Sequence, residues 1–170
     1  MTSPKQIVYV SLGSNIEPEK NLAAAVRLLR EKCKVLAVSH AYRTPPQGFT
    51  EQADFLNMVV KLSTTLSPAD FKREVLDFIE HELRRVRDPL NKNAPRTIDL
   101  DISLWGSEVF EYGSKPWRVP DKDILRFAHV AIPLAELAPD YVHPETGETL
   151  AQIAAHFDAR EITQVELPRI

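Results

Sequence analysis

The chain has 170 residues, of which 44% are hydrophobic and 26% are charged, and its formal net charge is −3. This composition is typical of a globular protein, so we expect a single domain over residues 1–170. The acidic balance argues against a broad nucleic-acid or anionic-membrane surface. Cys33 is the only cysteine, which excludes an intrachain disulfide and a cysteine-rich zinc site.

The sequence carries no sign of export or membrane insertion. The N-terminal segment lacks the basic and apolar parts of a signal peptide. No apolar run approaches the ~20 residues that a membrane-spanning helix needs. We therefore expect a cytoplasmic protein without a membrane partner, and nothing in the sequence implies an obligate protein partner.

Hydrophobic periodicity predicts strands and helices in alternation through the first half of the chain. A strand over 6–15 ends in a Gly-Ser-Asn turn, and an i, i+3, i+4, i+7 apolar pattern predicts a helix over 18–32. Further strands are predicted over 35–44 and 55–64. Ser67 suits the N-cap of a second helix, because it precedes a proline and an acidic first turn. The buried stripe of that helix is predicted from Phe71, Val75, Phe78 and Ile79.

A further strand is predicted at "TIDLDISLW". Shorter strands and helices are predicted in the C-terminal part of the chain. "SEVFEY" is predicted as a hairpin partner, with "WRVP" after it. A short helix is predicted in "HVAIPLAELAP", a last helix around Leu150 to Phe157, and a closing strand in "ITQVEL". The order through the aspartate-containing strand is β-α-β-β-α-β, which is the ferredoxin-like order. The predicted fold is α+β: an antiparallel sheet with helices on one face, the other face free to form a site, and C-terminal additions.

Two aspartates interrupt the apolar run of that strand. The run alternates two sets of residues, Ile98, Leu100, Ile102 and Leu104 against Asp99, Asp101, Ser103 and Trp105. Successive strand side chains point to opposite faces, so both carboxylates lie on one face with Cα atoms roughly 6.5–7 Å apart. Two acids on one face repel each other unless a cation lies between them. Mg²⁺, which binds one or two carboxylates together with substrate phosphates, fits this pattern.

The loop before the aspartates is strongly basic, with Asp88 as its one acid. Its cations are Arg84, Arg85, Arg87, Lys92 and Arg96. A solvated surface loop would explain most such runs. This one leads directly to two carboxylates, and arginine binds phosphate oxygens in a bidentate manner, so the sequence predicts a nucleoside triphosphate site. Glu80, one to two turns before the arginines, is expected to orient them by a helical charge pair.

The loop "YRTPPQGF" and the following "DFLN" contain a second candidate site. Phe55 and Asn57 lie on one face of the predicted strand over 55–64. An aromatic ring and an amide together bind a flat heterocycle by stacking and paired hydrogen bonds. The alternative is that Phe55 belongs to the core and Asn57 caps a neighbour, and the local sequence leaves both open.

The segment "APRTIDLDI" closely resembles the signature of the 6-hydroxymethyl-7,8-dihydropterin pyrophosphokinase family. "VSLGSN", "YRTPPQG", "DFLN" and "RRVR" match other motifs of that family in order and spacing, and the resemblance covers roughly residues 6–145. It implies transfer of a pyrophosphoryl group from ATP to a reduced pterin in folate biosynthesis, with release of AMP. The implied partners are these two small molecules, without nucleic acid.

The resemblance also implies roles for individual residues. Asp99 and Asp101 match ligands of two Mg²⁺ ions that bind with ATP. The implied catalytic residues are Arg85, Arg87, Arg96, Asp99 and Asp101. The implied ATP-binding residues are Glu80, Arg85, Arg87, Arg96 and Lys122. The implied pterin-binding residues are Thr44, Pro45, Gln47, Phe55, Asn57 and His129.

The segment "VPDKDILRFAHV" departs from the family pattern. Asp121 stands where the family usually has a histidine, and Phe127 and His129 both compete for the position of an aromatic residue that closes over the pterin. Two other functions are therefore weighed. One is a different Mg²⁺-dependent phosphoryl or nucleotidyl transferase acting on a related pterin. The other is a non-catalytic RNA-binding sheet, which the acidic balance and the two aspartates argue against.

Overall fold

A computed structural model of the chain describes residues 4–45, 54–83, 98–113 and 117–167. Its strands are β1 (Gln6–Ser14), β2 (Lys34–Val38), β3 (Ala41–Thr44), β4 (Phe55–Thr64), β5 (Asp99–Trp105), β6 (Phe110–Tyr112), β7 (Trp117–Val119) and β8 (Thr163–Val165). Its α-helices are α1 (Pro18–Lys32), α2 (Pro68–Phe71), α3 (Phe78–Glu82), α4 (Ala128–Leu137) and α5 (Leu150–Ala154). A π-helical segment, Lys72–Asp77, joins α2 to α3, and 3-10 helices cover Lys122–Ile124 and Ala159–Glu161. Within these described ranges, no helix has the length and apolar character needed to cross a membrane.

The main sheet has the order β5-β1-β4-β3-β8, and β2 also pairs with β4. Each of these pairings is antiparallel. The predicted α+β class with an antiparallel sheet is therefore confirmed. The closing strand predicted in "ITQVEL" is also confirmed, because β8 pairs with β3. Through β5 the order is β-α-β-β-α-β if β2 and β3 are taken as one interrupted strand.

The prediction of one continuous strand over 35–44 is wrong, because the strand is interrupted between β2 and β3. The backbone N–H of Ser39 donates to the Val59 carbonyl at 2.9 Å, and the Ser39 hydroxyl accepts from the Val59 N–H at 2.9 Å. The Ser39 hydroxyl thus replaces a backbone carbonyl as the acceptor for β4. Serine side chains can compete in this way with the regular backbone hydrogen bonds of a sheet. The strand turns at this point, and β3 pairs with both β4 and β8.

The helices of the first half cover one face of the sheet, as predicted. Leu22, Val26 and Leu29 of α1 pack with Leu12 and Leu100 of the sheet in the main core. The opposite face is not wholly free, which corrects the prediction. A second hydrophobic core lies on that face and is formed by side chains of the sheet, α4 and α5. Its members include Tyr9, Val59, Leu104, Val130, Ala131, Leu134, Leu150 and Ile153. The C-terminal additions therefore leave only part of this face open.

A β-bulge in β5 changes which residues share a face. Leu104 lies opposite Tyr9 in β1, while Ile102 lies opposite Val10, so Ser103 is the extra residue. Beyond a bulge the side chains exchange faces. Trp105 therefore enters the main core and Leu104 the second core, which is the reverse of the simple alternation predicted for these two residues.

The second predicted helix begins as expected but has an unexpected buried stripe. Phe78 was predicted to be buried and is 39% exposed, while Leu76 is buried instead. The reason is the π-helical segment, in which hydrogen bonds span five residues and the wider turn rotates the following side chains. The outward-turned Phe78 ring lies 4.0 Å from the ammonium of Lys32 on α1.

The N-cap of α2 provides a first prediction. The Ser67 hydroxyl accepts a hydrogen bond from the Asp70 N–H at 3.2 Å. Ser67→Ala is expected to lower the free energy of unfolding by about 1 kcal/mol, because one helix N–H loses its partner. Urea unfolding measures this, with Ser67→Asp as the matched control that keeps a capping oxygen. Equal loss in both variants would contradict the assignment.

The β6–β7 hairpin forms a separate two-stranded sheet. "SEVFEY" is thus the hairpin partner of "WRVP" and does not pair with β5. Phe110 packs edge-on against Trp105 at a centroid distance of 6.5 Å, so the hairpin rests on the aromatic end of β5. The backbone N–H of Asp121 then donates to the Ser103 carbonyl at 2.9 Å. This contact fixes the chain that leads from the hairpin towards α4.

Candidate active site

A cavity of about 240 Å³ lies on the open part of the sheet face. It is bounded by β1, β4, β5, the end of β3 and the segment that leads into α4. Its lining residues are Ser11, Leu12, Gly13, Thr44, Pro45, Phe55, Asn57, Asp99, Asp101, Asp121, Asp123, Phe127, His129 and Val130. The candidate carboxylates and the candidate heterocycle-binding side chains therefore meet in one cavity, although they come from separate parts of the sequence.

One wall of the cavity carries the two aspartates of β5. Asp101 lies opposite Ser11 and Asp99 opposite Gly13 in the antiparallel pair with β1. Both carboxylates lie on the cavity face, as the strand alternation predicted. Burial raises the pKa of Asp101 well above its usual range, and the nearby carboxylates of Asp99, Asp121 and Glu80 raise it further. The ammonium of Lys72 lowers this pKa, but burial and like charge outweigh it, so the charged form of Asp101 is disfavoured without a further cation.

The other wall is built around Asn57, which is buried on β4. Its Nδ2 donates to the Thr44 Oγ1 at 2.8 Å, and Thr44 is also buried. Phe55 and Pro45 line the same wall, so the predicted common face of Phe55 and Asn57 is correct. The capping alternative holds in part, since one Asn57 N–H is used by Thr44. An amide has two N–H donors and a carbonyl acceptor, so further hydrogen-bonding capacity remains for a ligand.

The third side of the cavity comes from the segment that departs from the family pattern. Phe127 and His129 both line the cavity, and their rings stack at a centroid distance of 5.2 Å and an interplanar angle of 17°. The two candidates for the closing aromatic thus lie together. Burial lowers the pKa of His129. Burial also raises the pKa of Asp121 to about 6, and its carboxylate accepts a hydrogen bond from the Asp123 N–H at 2.9 Å.

Two of the predicted ATP-binding residues do not line this cavity. Glu80 is buried, and its carboxylate accepts a hydrogen bond from the Leu100 N–H at 3.0 Å. Glu80 therefore fixes β5 between Asp99 and Asp101. Lys122 is exposed in a 3-10 helix. The predictions for Gln47, Arg85, Arg87 and Arg96 fall outside the described residues.

Sequence reasoning missed several lining residues. Ser11, Leu12 and Gly13 come from the "VSLGSN" run, whose sequence indicates no role for these individual residues. Their place follows from the pairing of β1 between β4 and β5, which the sequence pattern alone does not specify. Asp123 and Val130 carried no signal of their own. Within the four described ranges, no cluster of three or more His, Cys, Asp or Glu side chains could hold a metal ion.

The chain matches proteins of one named family. Residues 9–139 match the family model of the 7,8-dihydro-6-hydroxymethylpterin-pyrophosphokinases. A Pseudomonas aeruginosa protein named 2-amino-4-hydroxy-6-hydroxymethyldihydropteridine pyrophosphokinase is 39% identical over 153 residues, which covers 88% of this chain and 91% of that protein. A Bacillus subtilis protein of the same name is 40% identical over 134 residues and 77% of each chain.

Solved structures with the same fold include the Plasmodium falciparum HPPK-DHPS protein crystallised with pteroate. Its TM-score is 0.71 at 11% identity, over 92% of this chain and 45% of that one. The chain thus spans less than half of that longer protein, and this likeness concerns the fold alone. The family model and the two bacterial relatives match this chain in amino-acid sequence over most of its length. On their evidence, this chain belongs to the 7,8-dihydro-6-hydroxymethylpterin-pyrophosphokinase family.

Proposed function

We propose that the protein transfers the pyrophosphoryl group of ATP to the hydroxymethyl oxygen of 6-hydroxymethyl-7,8-dihydropterin. The products are AMP and the pterin diphosphate, an intermediate of folate biosynthesis. The observation that carries this proposal is the cavity in which the carboxylates of Asp99 and Asp101 face the Asn57–Thr44 wall. Membership of the family supports the same reaction.

Asp99 and Asp101 fit the binding of two Mg²⁺ ions together with ATP. Hard carboxylate oxygens are the donors that Mg²⁺ prefers, and it usually takes one or two of them together with substrate phosphates. Burial and neighbouring carboxylates, which raise the pKa of Asp101, make this wall unfavourable without a cation. Bound magnesium would supply charge neutralisation and polarisation of the transferred phosphorus.

The pterin would lie against the wall of the cavity that Asn57, Thr44 and Pro45 form. The buried Asn57 amide would pair with the heterocycle edge, and the Phe55 ring would stack on one face of the pterin. The stacked Phe127 and His129 rings would cover the opposite face. Gln47 is proposed to contribute to this site through the loop after β3.

We assign the phosphate contacts to arginines of the basic loop. Arg85, Arg87 and Arg96 would bind phosphate oxygens, and Lys122 would add a cation at the rim. Glu80 would act mainly by positioning Asp99 and Asp101, because its carboxylate accepts a hydrogen bond from the Leu100 N–H on the strand that carries both aspartates. This differs from direct ATP binding by Glu80, which the family resemblance implied.

The proposed mechanism depends on positioning. Asn57 and Phe55 would orient the pterin so that its hydroxymethyl oxygen approaches the β-phosphorus in line with the departing AMP oxygen. The apolar side chains of Phe127 and Val130 would exclude water that would otherwise compete as acceptor. The arginines would stabilise the phosphate charge as it moves towards AMP.

Gly13 provides a prediction for the pterin side of the cavity. A Cβ atom at Gly13 would lie 2.9 Å from the Asn57 Oδ1, so a methyl group would displace this amide. Gly13→Ala is therefore expected to weaken pterin binding about tenfold, the equivalent of about 1.4 kcal/mol. A fluorescence titration with the pterin measures the change.

Gly147→Ala is the matched control for that variant. Gly147 has a φ of +74° and no other atom within 4 Å of a Cβ, so alanine there strains the backbone without touching the cavity. It is expected to lower the melting temperature and leave pterin affinity unchanged. Unchanged pterin affinity in Gly13→Ala would argue against the assigned orientation of Asn57.

The reaction itself is tested by incubating the protein with ATP, Mg²⁺ and 6-hydroxymethyl-7,8-dihydropterin. AMP and the pterin diphosphate in equal amounts are expected. ADP or free pyrophosphate would point to a different phosphoryl or nucleotidyl transferase. We further propose a single pyrophosphokinase domain over residues 1–170, which the pairing of β8 with β3 supports. A cytoplasmic location, where ATP is available, completes the proposal.

A further inference from the structure

The carboxylate of Glu136, near the end of α4, accepts three hydrogen bonds from one segment. The His40 backbone N–H and its ring Nδ1 both contact Oε2 at 2.9 Å. The Tyr42 hydroxyl donates to Oε1 at 2.6 Å. Together these bonds tie α4 to the point where β2 gives way to β3. We call this group of three residues the Glu136 clamp.

The helix held by the clamp carries one wall of the cavity at its other end. Phe127 is the N-cap of α4, and His129 and Val130 lie in its first turn. The helix spans ten residues, so fixing its C-terminal end fixes the direction in which these side chains point. Ala128 and Tyr42 belong to one small apolar cluster with Ile162, which adds apolar packing to the clamp.

The strand held by the clamp carries the facing wall. Tyr42 lies directly opposite Asn57 in the antiparallel pair of β3 and β4. Thr44, two residues further along β3, accepts the Asn57 hydrogen bond at 2.8 Å. The clamp therefore connects the element bearing Phe127 and His129 to the elements bearing Thr44 and Asn57.

From this geometry we infer that Glu136 and Tyr42 are positioning residues that set the width of the pterin side of the cavity. Neither residue lines the cavity. Their effect falls on pterin affinity because both connected walls belong to the pterin side, whereas Asp99 and Asp101 lie on β5, outside the clamp. This inference rests on the proposed function of the same site.

The clamp is tested with Tyr42→Phe, which removes one hydrogen bond and keeps the buried ring, and with Glu136→Ala, which removes all three. The dissociation constants for 6-hydroxymethyl-7,8-dihydropterin and, separately, for Mg²⁺ with ATP are measured by calorimetry. Tyr42→Phe is expected to weaken pterin binding about fivefold, because it loses one hydrogen bond to Glu136, and Glu136→Ala about twentyfold, because it loses all three. ATP affinity is expected to remain within twofold of the wild type.

Glu148→Ala is the matched control, because it removes a similar Glu–His pair. The Glu148 carboxylate contacts the His156 Nε2 at 2.8 Å on an exposed part of the chain that does not line the cavity. Its pterin affinity is expected to equal that of the wild type. Lower melting temperatures in the clamp variants with unchanged pterin affinity would overturn the inference, as would equal losses for pterin and ATP.

The result for the wild type separates the two proposals. If the wild type binds the pterin and forms AMP while Tyr42→Phe binds the pterin normally, the positioning role is wrong and the proposed function stands. If the wild type neither binds the pterin nor forms AMP in its presence, the proposed function fails, and the clamp inference fails with it. If Glu136→Ala does not fold, the result for Tyr42→Phe decides, since this variant keeps the aromatic ring within the apolar cluster of Ala128 and Ile162.

Discussion

Asp101→Asn is expected to lower AMP formation at least about a hundredfold, because loss of a metal-binding carboxylate removes several kcal/mol of transition-state stabilisation. Asp99→Asn should have a similar effect on turnover. The folded protein without ligand should survive the Asp101 change, and at neutral pH it should melt at the same or a higher temperature. A carboxylate that is half-buried beside other carboxylates opposes folding, and the neutral amide removes that repulsion.

The pH dependence of this effect has a definite sign. Burial and neighbouring acids raise the folded-state pKa of Asp101 above its unfolded value of about 4. The folded form therefore holds the proton more tightly, and stability falls as pH rises from about 4 through the raised pKa. The extra stability of Asp101→Asn should be largest at neutral pH and disappear near pH 4.

Thermal melts from pH 4 to pH 8 and a Mg²⁺ titration of ATP binding test the Asp101 assignment together. ATP binding should depend steeply on Mg²⁺ in the wild type and weakly in the variant. If Asp101 instead forms an ion pair that holds the fold, its removal would leave an unpaired charge and destabilise the protein. Marked destabilisation of Asp101→Asn with unchanged Mg²⁺ dependence would refute the metal-site role.

Asn57→Ala is expected to weaken pterin binding by about tenfold to a hundredfold, with little effect on ATP. Removal of the amide leaves the polar edge of the heterocycle unpaired in a buried site, which costs roughly 1–3 kcal/mol. Thr44→Val is the matched control, since it removes the partner of the Asn57 Nδ2 and leaves the amide in place. It should show a smaller loss. Equal losses for pterin and ATP in Asn57→Ala would contradict the assignment.

The sequence predicted those parts of the fold that local periodicity determines. The range predicted for α1, 18–32, and the range predicted for β4, 55–64, agree with the structure, because each carries an uninterrupted pattern. The failures lie where the chain inserts or substitutes a group in a regular pattern. Ser39 replaces a backbone carbonyl in strand pairing, Ser103 forms a bulge, and the π-helical segment turns Phe78 outwards. These depend on tertiary contacts that periodicity does not record.

The kinds of side chain in the candidate site could be predicted from the sequence, but their arrangement in space could be predicted only in part. The strand alternation correctly predicted that Asp99 and Asp101 share a face of β5 and that Phe55 and Asn57 share a face of β4. The pairing that brings the two sets together runs through β1, and the contribution of Gly13 depends on that pairing. Glu80 was expected to act on arginines of its own helix. Its hydrogen bond to Leu100 was not predictable, since it joins residues 20 apart in sequence.

The central position of β1 has a consequence for biosynthesis. β1 is translated before β4 and β5, with which it pairs, and its Ser11 hydroxyl contacts the hydroxyl of Ser103, 92 residues later in sequence. Such non-local pairing slows folding, because a long loop must close before the contact forms. The apolar strand β1, with Val8, Val10 and Leu12, therefore cannot complete both of its pairings until β5 has been translated. During this interval its apolar side chains and unpaired backbone groups are exposed, which makes the incomplete fold prone to aggregation.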